Sequence, residues 1–190
     1  MSGRAGPSEV KSWVNKKGGH VVRPLFFHSP ALTPPPPPGN VTTNFGFENG
    51  TAGWSFFTNG AGPFSVTSSG DPHCDNYGRV SVTKTGNNIQ LFQTGFRLEP
   101  DTRYTLRFAA RSSGGQDVAV YVHRHTAPNT NYGVNGTRFD LTPQWQTFET
   151  ECTTKGNTAA TTDTRLRFWL APYATAGAVF DFDEVVLMKK

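Results

Sequence analysis

Hydrophobic and polar residues alternate in short runs from residue 41 onward, and Gly, Asn, Asp and Pro separate the runs. A period of two places successive side chains on opposite sides of a strand, so each run predicts a β-strand with one buried side. The clearest runs are Arg79–Lys84, Ile89–Thr94, Arg103–Arg111, Asp117–His125, Trp145–Glu151, Arg165–Ala171 and Val179–Met188. Weaker runs are Val41–Phe47, Trp54–Thr58, Phe64–Ser68 and Thr137–Leu141. Many short strands without helical periodicity predict an all-β fold, an antiparallel β-sandwich of the jelly-roll type.

The run at 165–171 shows which side chains lie outside this predicted sandwich. Leu166 and Phe168 fall on its apolar side, which leaves Arg165, Arg167 and Trp169 on the other side. A tryptophan that shares a side with two arginines is not expected to fill the core. The same alternation predicts that the outer sides of two other runs carry Arg103, Arg107, Tyr121, His123 and His125.

The basic charge of the chain lies outside the predicted sandwich. The chain has 18 Lys and Arg, 14 Asp and Glu, and a net charge of +4. Five of the basic residues and only Glu9 of the acidic ones lie in residues 1–40, so residues 41–190 are neutral overall. A domain that binds the phosphates of nucleic acid is expected to be basic, so no nucleic-acid partner is predicted.

Residues 1–40 are rich in Gly, Ser, Lys and Pro and end in the proline run Pro34–Pro38. Consecutive prolines favour the polyproline II conformation and form stiff spacers. We therefore predict a disordered N-terminal tail ending in a polyproline linker over residues 1–40, and one folded module over residues 41–190. A PxxP ligand for an SH3-like partner, or an edge strand at Val21–Phe27, is the alternative for this segment.

Three sequence blocks resemble the signatures of carbohydrate-binding modules of the family 4/9, 16 and 22 type. The first is Asn44-Phe-Gly-Phe-Glu-Asn-Gly followed by Trp54, and the second runs from Gln93 through Leu-Glu-Pro-Asp-Thr-Arg-Tyr-Thr-Leu. The third is Val179-Phe-Asp-Phe-Asp-Glu-Val-Val-Leu. The three blocks keep the family's order across residues 41–190, and the greatest likeness is to family 16.

The resemblance implies non-catalytic binding of β-linked polysaccharide chains of the mannan or glucan type, through an aromatic-lined cleft. Trp169 and Trp54 match family residues that stack on sugar rings, and Asn135 matches an amide that binds sugar hydroxyls. Tyr121 stands where the family has a second amide, which is a departure, and two extra residues separate Trp169 from the closing motif. The resemblance and the outer-side pattern together give these candidate ligand-binding residues: Trp54, Gln93, Arg107, Tyr121, His123, Asn135, Arg167 and Trp169.

The resemblance also implies a structural calcium ion away from the glycan site. Glu48 and Asp183 match the family's carboxylate ligands, and calcium prefers carboxylate and carbonyl oxygens. Asp75 is a further candidate ligand, although a turn is the alternative explanation for an Asp at this position. Asp181 alternates with Asp183, so the sequence leaves open which of the two binds the metal.

Three other functions compete with simple binding of a neutral glycan. A polysaccharide lyase or glycosidase needs a set of acid and base groups, and His123, Tyr121 and Arg107 form a formal trio for the lyase reaction. Alternatively, Arg103, Arg107, Arg165 and Arg167 are expected on one outer surface, where they could bind uronate carboxylates of an acidic polysaccharide or be ordinary solvated side chains. A structural adhesion domain also fits the predicted fold and linker.

The expected setting follows from the resemblance. It implies a secreted, monomeric module linked to a catalytic domain such as a glycoside hydrolase, although the sequence shows no signal peptide. No apolar run reaches the 18 or so residues that a membrane helix requires, so no membrane partner is predicted. Cys74 and Cys152 lie 78 residues apart. The sequence leaves open whether they form a disulfide or remain two separate thiols.

Overall fold

The structure is a computed structural model that describes residues 35–69 and 76–190, together with the backbone of residues 13–14 and 20–21. The chain divides into two compact units, Met1–Leu32 and Thr33–Lys190. Within the first unit, strands β1 (Trp13–Val14) and β2 (His20–Val21) pair in an antiparallel ladder. The prediction of a disordered tail in residues 1–40 otherwise falls almost entirely outside the described residues.

Ten strands of the second unit form two five-stranded antiparallel sheets. They are β3 (Ser55–Thr58), β4 (Phe64–Ser68), β5 (Asn76–Ser81), β6 (Ile89–Thr94), β7 (Arg103–Ser112), β8 (Val118–Arg124), β9 (Asn131–Phe139), β10 (Gln146–Thr153), β11 (Thr164–Trp169) and β12 (Val179–Lys189). The first sheet has the order β10-β7-β12-β5-β4, and the second has the order β3-β6-β11-β8-β9. The described residues contain no helix, hence none long and apolar enough to cross a membrane. The prediction of an all-β sandwich with a jelly-roll fold is confirmed.

Most predicted runs are strands, and three differ. Strand β5 lies at Asn76–Ser81, three residues earlier at both ends than the predicted run Arg79–Lys84. Strand β9 begins at Asn131, six residues before the predicted start at Thr137. The predicted strand Val41–Phe47 is wrong, because Asn44 and Phe47 have φ angles of 45° and 57°, which interrupt a pleated strand. This segment instead lies along β12, where the Val41 amide donates a hydrogen bond to the Leu187 carbonyl.

Phenylalanine rings from the two sheets form the centre of the core. Phe168 in the second sheet lies 4.6 Å from Phe182 and 5.1 Å from Phe108, measured between ring centroids, and both partners belong to the first sheet. All three are fully buried, as are Leu106 and Leu166 on the same sides of their strands. The inward sides predicted for these strands are therefore confirmed, and burial of these side chains stabilises the sandwich.

The two sheets present separate outer surfaces. Arg103 and Arg107 lie on β7 in the first sheet, whereas Arg165 and Arg167 lie on β11 in the second sheet. The expectation that these four arginines share one surface is therefore wrong. Alternation along a strand tells which side chains point away from the core, but it does not tell which sheet the strand joins.

Candidate functional site

The outer surface of the second sheet gathers aromatic, cationic and amide side chains. Register places Arg167 opposite Phe92 on one side and Tyr121 on the other, and Trp169 opposite Gln90 and Ala119. Arg165 lies opposite Thr94 and His123. We call this surface the aromatic face and define it by Phe57, Gln90, Phe92, Tyr121, Asn135, Arg165, Arg167 and Trp169.

Arg167 occupies the middle of the aromatic face. Its guanidinium carbon lies 4.2 Å from the ring centroid of Tyr121 and 5.2 Å from that of Trp169, and these two rings meet edge to face at 5.9 Å. The Nε atom of Arg167 is buried and has no hydrogen-bond partner among the described residues. Burial lowers the pKa of Arg167, because the charged form loses hydration.

Arg165 is held two residues earlier on the same strand. Its guanidinium carbon lies 4.1 Å from the ring centroid of Phe92, and its Nη1 donates a hydrogen bond to Gln90 Oε1 at 3.1 Å. Its Nε donates to His125 Nδ1, also at 3.1 Å. Burial, followed by the charge of Arg167, lowers the pKa of Arg165. The Arg165 guanidinium is thus fixed in place by a ring and two acceptors, and the Arg167 guanidinium by two rings.

The arginines of the aromatic face differ from the other half-buried arginines in their partners. Asp181 pairs with both Arg79 and Arg111 at 2.8 Å, and Asp163 pairs with Arg124 at 2.7 Å. Within the residues that the structure describes, no carboxylate forms an ion pair with Arg165 or Arg167. The aromatic face therefore carries positive charge that these carboxylates do not neutralise.

Tyr121 is seated against the backbone of the neighbouring strand. A Cβ atom on Gly136 would lie 2.9 Å from the Tyr121 hydroxyl oxygen, and Gly136 has a φ angle of +72° that favours glycine. The register shifts between Val120 and Tyr121, which brings exposed Asn135 opposite the tyrosine. The structure thus brings together four of the predicted ligand-binding residues: Tyr121, Asn135, Arg167 and Trp169.

His123 lies on the same side of its strand but is only 5% exposed. Its Nδ1 atom is 2.6 Å from the carbonyl oxygen of Arg124, which can only accept, so Nδ1 carries the proton and Nε2 is an acceptor in the neutral ring. That Nε2 atom is buried without a partner among the described residues. Burial lowers the pKa of His123, and the charges of Arg167 and Arg165 add to this effect. The prediction that His123 belongs to the outer surface holds, but its ring is covered.

Two of the predicted ligand-binding residues lie in the interior. Trp54 is 6% exposed, stacks on Phe47 at 5.2 Å between ring centroids, and donates from its Nε1 to the Asn44 carbonyl at 3.1 Å. Gln93 is 2% exposed and uses both ends of its amide on the backbone of Thr43. Their prediction as sugar-contacting residues is corrected: each fills the sandwich and satisfies backbone groups.

Arg107 is also separated from the aromatic face. It lies on the first sheet, where its Nη2 is 3.6 Å from a carboxylate oxygen of Glu184. The trio of His123, Tyr121 and Arg107 that a lyase would use is therefore split between the two sheets, and Arg107 is not part of the aromatic face.

A second group of polar residues lies where β12 meets the segment at 44–49. Glu48 accepts hydrogen bonds from the amide and the side chain of Asn76, and the Asp183 carboxylate accepts one from the Glu184 amide at 2.7 Å. Burial, with the charges of Glu184 and Glu48, raises the pKa of Asp183 to about 7. Neighbouring carboxylates that repel one another fit a cation, although no three His, Cys, Asp or Glu gather among the described residues. Asp75 lies outside those residues.

Asp181 does not belong to the group that Glu48 and Asp183 form. Its buried carboxylate receives Arg79 Nε and Nη2 and Arg111 Nε, at 2.8 to 2.9 Å. Three charge-assisted hydrogen bonds occupy it, so of the two alternating aspartates Asp183 is the one whose oxygens remain for a metal.

Sequence reasoning missed three members of the aromatic face: Phe57, Gln90 and Phe92. In β6, Gln90 and Phe92 alternate with buried Ile89 and Leu91, so the period of two already assigns them to the outer side. Phe57 is 48% exposed and lies opposite Gln90. The signal was available, because a phenylalanine on the polar side of a strand is as informative as a tryptophan.

Cys152 is half-buried, and burial raises the pKa of its thiol. Its predicted partner, Cys74, lies outside the described residues, so the disulfide and the pair of separate thiols both stay predictions.

The fold and the aromatic face define a class of protein, a β-sandwich domain with exposed Phe57 and several partly exposed rings that suit the apolar side of a sugar. The sequence profile of the carbohydrate binding domain family 4/9 matches residues 39–175. The chain therefore belongs to this family of carbohydrate-binding domains. A comparison with curated protein sequences gives no match.

Solved structures of carbohydrate-binding modules share the fold. A family 4 module has a TM-score of 0.60 and 21% identity, over 76% of this chain and 99% of that chain. The N-terminal cellulose-binding domain of β-1,4-glucanase C from Cellulomonas fimi has a TM-score of 0.56 and 21% identity, over 73% and 89%. A family 16 module has a TM-score of 0.55 and 26% identity, over 78% and 99%.

Proposed function

We propose that the protein binds β-linked polysaccharide chains of the mannan or glucan type, without catalysis, along the aromatic face. The observation that carries this proposal is the partly exposed ring of Trp169 beside Tyr121 and Arg167, in a chain of the carbohydrate-binding family. The C–H face of a pyranose packs on such a ring, and its hydroxyls need amide or guanidinium partners. Asn135, exposed opposite Tyr121, supplies an amide beside this group, and Gln90 holds Arg165 in place.

The proposed setting is that of a targeting module. In this proposal the protein is secreted, acts as a monomer, and holds an attached catalytic domain such as a glycoside hydrolase on its polysaccharide. The proline run Pro34–Pro38 supports this arrangement, since it is the spacer that a tethered module requires. The structural likeness to a cellulose-binding domain of a glucanase is consistent with it.

A structural calcium ion completes the proposal. Glu48 and Asp183 would hold it, with Asp75 as a further candidate ligand, and the ion would supply the positive charge that these carboxylates lack. Because Glu48 lies near the start of the sandwich and Asp183 in its last strand, the ion would join the two ends of the domain. Its role would be stability and not chemistry.

Affinity electrophoresis of the full chain against soluble glucans, mannans, xylans and uronans tests the proposed function. We expect retardation by one class of polymer, and loss of retardation in Trp169→Ala. Trp145→Ala is the matched control, because Trp145 is 39% exposed but lies just before β10 of the first sheet, against Tyr77 and Arg111. Retardation by no polymer would favour a structural adhesion domain, and release of new reducing ends or unsaturated products would mean an enzyme.

A further inference from the structure

We propose that Arg165 and Arg167 bind carboxylate groups of the glycan, so that the preferred ligand is a β-linked chain containing uronate units. This inference rests on the proposed function, because it assigns the chemical class of the chain that lies on the aromatic face. It concerns a different property from ring stacking, namely the charge of the sugar that lies beside Trp169.

The positive charges of Arg165 and Arg167 have no carboxylate partner among the described residues. Half-buried arginines on the first sheet face a carboxylate of the protein, as Arg79 and Arg111 face Asp181. Arg165 and Arg167 are also half-buried, yet no described carboxylate pairs with either. Burying a cation without a counter-charge costs free energy, and a ligand carboxylate would recover that cost.

A further observation concerns the acidic side chains at the rim of the same sheet. Asp117 accepts from Arg138 at 2.5 Å, and Asp163 accepts from Arg124 at 2.7 Å and also from the Thr126 amide. These carboxylates are already engaged by other donors. They leave the arginine pair available and do not repel an incoming anion strongly.

The guanidiniums of Arg165 and Arg167 are also held in an orientation that suits a carboxylate. Rings of Phe92 and Tyr121 contact the flat sides of the two guanidiniums, at 4.1 and 4.2 Å. Stacking uses the flat side of a guanidinium and leaves N–H donors at its edge. Nε of Arg167 is buried, and Arg165 donates from Nε to His125 and from Nη1 to Gln90. The donors that remain for a ligand are therefore the terminal Nη atoms of Arg167 and Nη2 of Arg165. A carboxylate has two oxygens in one plane and matches such an edge in a bidentate manner. The arginines are held before the ligand arrives, which reduces the entropy lost on binding.

Matched oligosaccharides test the inference by isothermal titration of the full chain. The pairs are a β-1,4-glucan hexamer with a β-1,4-glucuronan hexamer, and a β-1,4-mannan hexamer with a β-1,4-mannuronan hexamer. We expect the uronate member of one pair to bind about tenfold more tightly at low salt. We expect this advantage to shrink between about 20 and 500 mM NaCl, since salt screens exposed ion pairs.

Single substitutions test whether Arg165 and Arg167 cause the preference for uronate. Arg165→Gln and Arg167→Gln should each remove most of the uronate advantage, whereas Arg103→Gln should keep it, because Arg103 is exposed on the first sheet. Arg167→Lys keeps the charge but loses the planar edge, and it should recover only part of the advantage. Thermal unfolding of each variant shows whether the fold is retained, and the salt titration of the unmodified protein needs no variant.

The outcomes separate the two proposals. Equal affinity for neutral and uronate hexamers would overturn the inference and leave the proposed function standing. Binding of none of the hexamers would overturn both. A sulfated glucan hexamer that binds as tightly as the glucuronan would show recognition of negative charge in general, which overturns recognition of carboxylates.

Discussion

Arg167 lies over the ring of Tyr121, 4.2 Å from guanidinium carbon to ring centroid, although the two residues belong to neighbouring strands β11 and β8. The contact joins a cation to the negative face of an aromatic ring, which stabilises both side chains in one arrangement. Trp169 contacts both of them. A change that moves Tyr121 should therefore also disturb the arginine and the tryptophan to which we assign glycan binding.

Substitution of Gly136 tests this dependence. Gly136→Ala places a Cβ atom 2.9 Å from the Tyr121 hydroxyl oxygen, so the tyrosine ring must shift, and the φ angle of +72° adds backbone strain. We expect a loss of about 1 to 3 kcal/mol in the free energy of unfolding. We also expect a loss of glycan affinity of about tenfold. Denaturant unfolding and titration with the retarding polymer measure the two effects.

Gly95→Ala is the matched control for that prediction. Gly95 has a similar φ angle of +83°, but nothing lies within 4 Å of the Cβ atom that alanine would add. We expect a similar strain cost without a loss of affinity. Equal affinities for the two variants would show that the position of Tyr121 does not matter for binding.

Removal of the Asp181 carboxylate should affect stability and not binding. Asp181 is 3% exposed and receives hydrogen bonds from two arginines on the first sheet. In Asp181→Asn the charges of Arg79 and Arg111 lose their shared partner, and we expect a loss of about 2 to 4 kcal/mol in the free energy of unfolding. Asp140→Asn, which removes an exposed partner of Arg138, should cost about 0.5 kcal/mol or less. If Asp181→Asn also lost glycan affinity at a temperature at which the variant is folded, the first sheet would take part in binding. That result would contradict the assignment of binding to the aromatic face of the second sheet.

The sequence predicts most of the aromatic face because alternation is a local property. Arg165, Arg167 and Trp169 follow from the apolar positions of Leu166 and Phe168, and the structure agrees. Local patterns also predict nearly every strand, since turn residues separate them. The interval at 41–47 fails because a local turn interrupts it: the Phe47 amide donates to the Asn44 carbonyl, and the Asn44 side chain bonds to Asn49 and Gly50. Asparagine is one of the few residues that tolerate a positive φ angle.

Sheet membership and burial of polar residues are not local properties. Nothing in the sequence near Arg107 indicates that β7 and β11 belong to different sheets. Similarly, Gln93 has the polar character of a ligand-binding residue, but its amide satisfies the backbone of Thr43, 50 residues away. Trp54 fills the sandwich beside Phe47, so a tryptophan in a family motif is not by itself a surface residue. Sheet membership and burial can be predicted only when it is known which strands pair in three dimensions.

Calcium should stabilise the protein through Glu48 and Asp183. A ligand that binds only the folded state raises the free energy of unfolding, by about 2.7 kcal/mol at one hundred times its dissociation constant. We therefore expect the melting temperature to rise with added CaCl₂ and to fall with a chelator, as differential scanning calorimetry would show. The response should disappear in Asp183→Asn and weaken in Glu48→Gln, whereas Glu149→Gln, an exposed carboxylate on β10, should retain it. An unchanged calcium response in Asp183→Asn would refute this site.

The buried imidazole of His123 should make the domain less stable in mild acid. Its pKa is lowered in the folded state by burial, and the charges of Arg167 and Arg165 disfavour its protonated form further. The unfolded chain therefore takes up the proton first, near the ordinary value of 6.5, and the folded state is favoured fully only above that pH. Stability should fall as the pH drops through 6.5 towards the lowered pKa of the folded state.

Comparison with His123→Asn isolates this contribution from those of other titrating groups. Asparagine keeps a donor for the Arg124 carbonyl, which His123 Nδ1 contacts at 2.6 Å, but it does not titrate. We expect the melting temperature of the unmodified protein to fall more steeply than that of the variant between about pH 7.5 and 5. Parallel curves would mean that the pKa of His123 is the same in the folded and unfolded states, which would contradict burial of its ring.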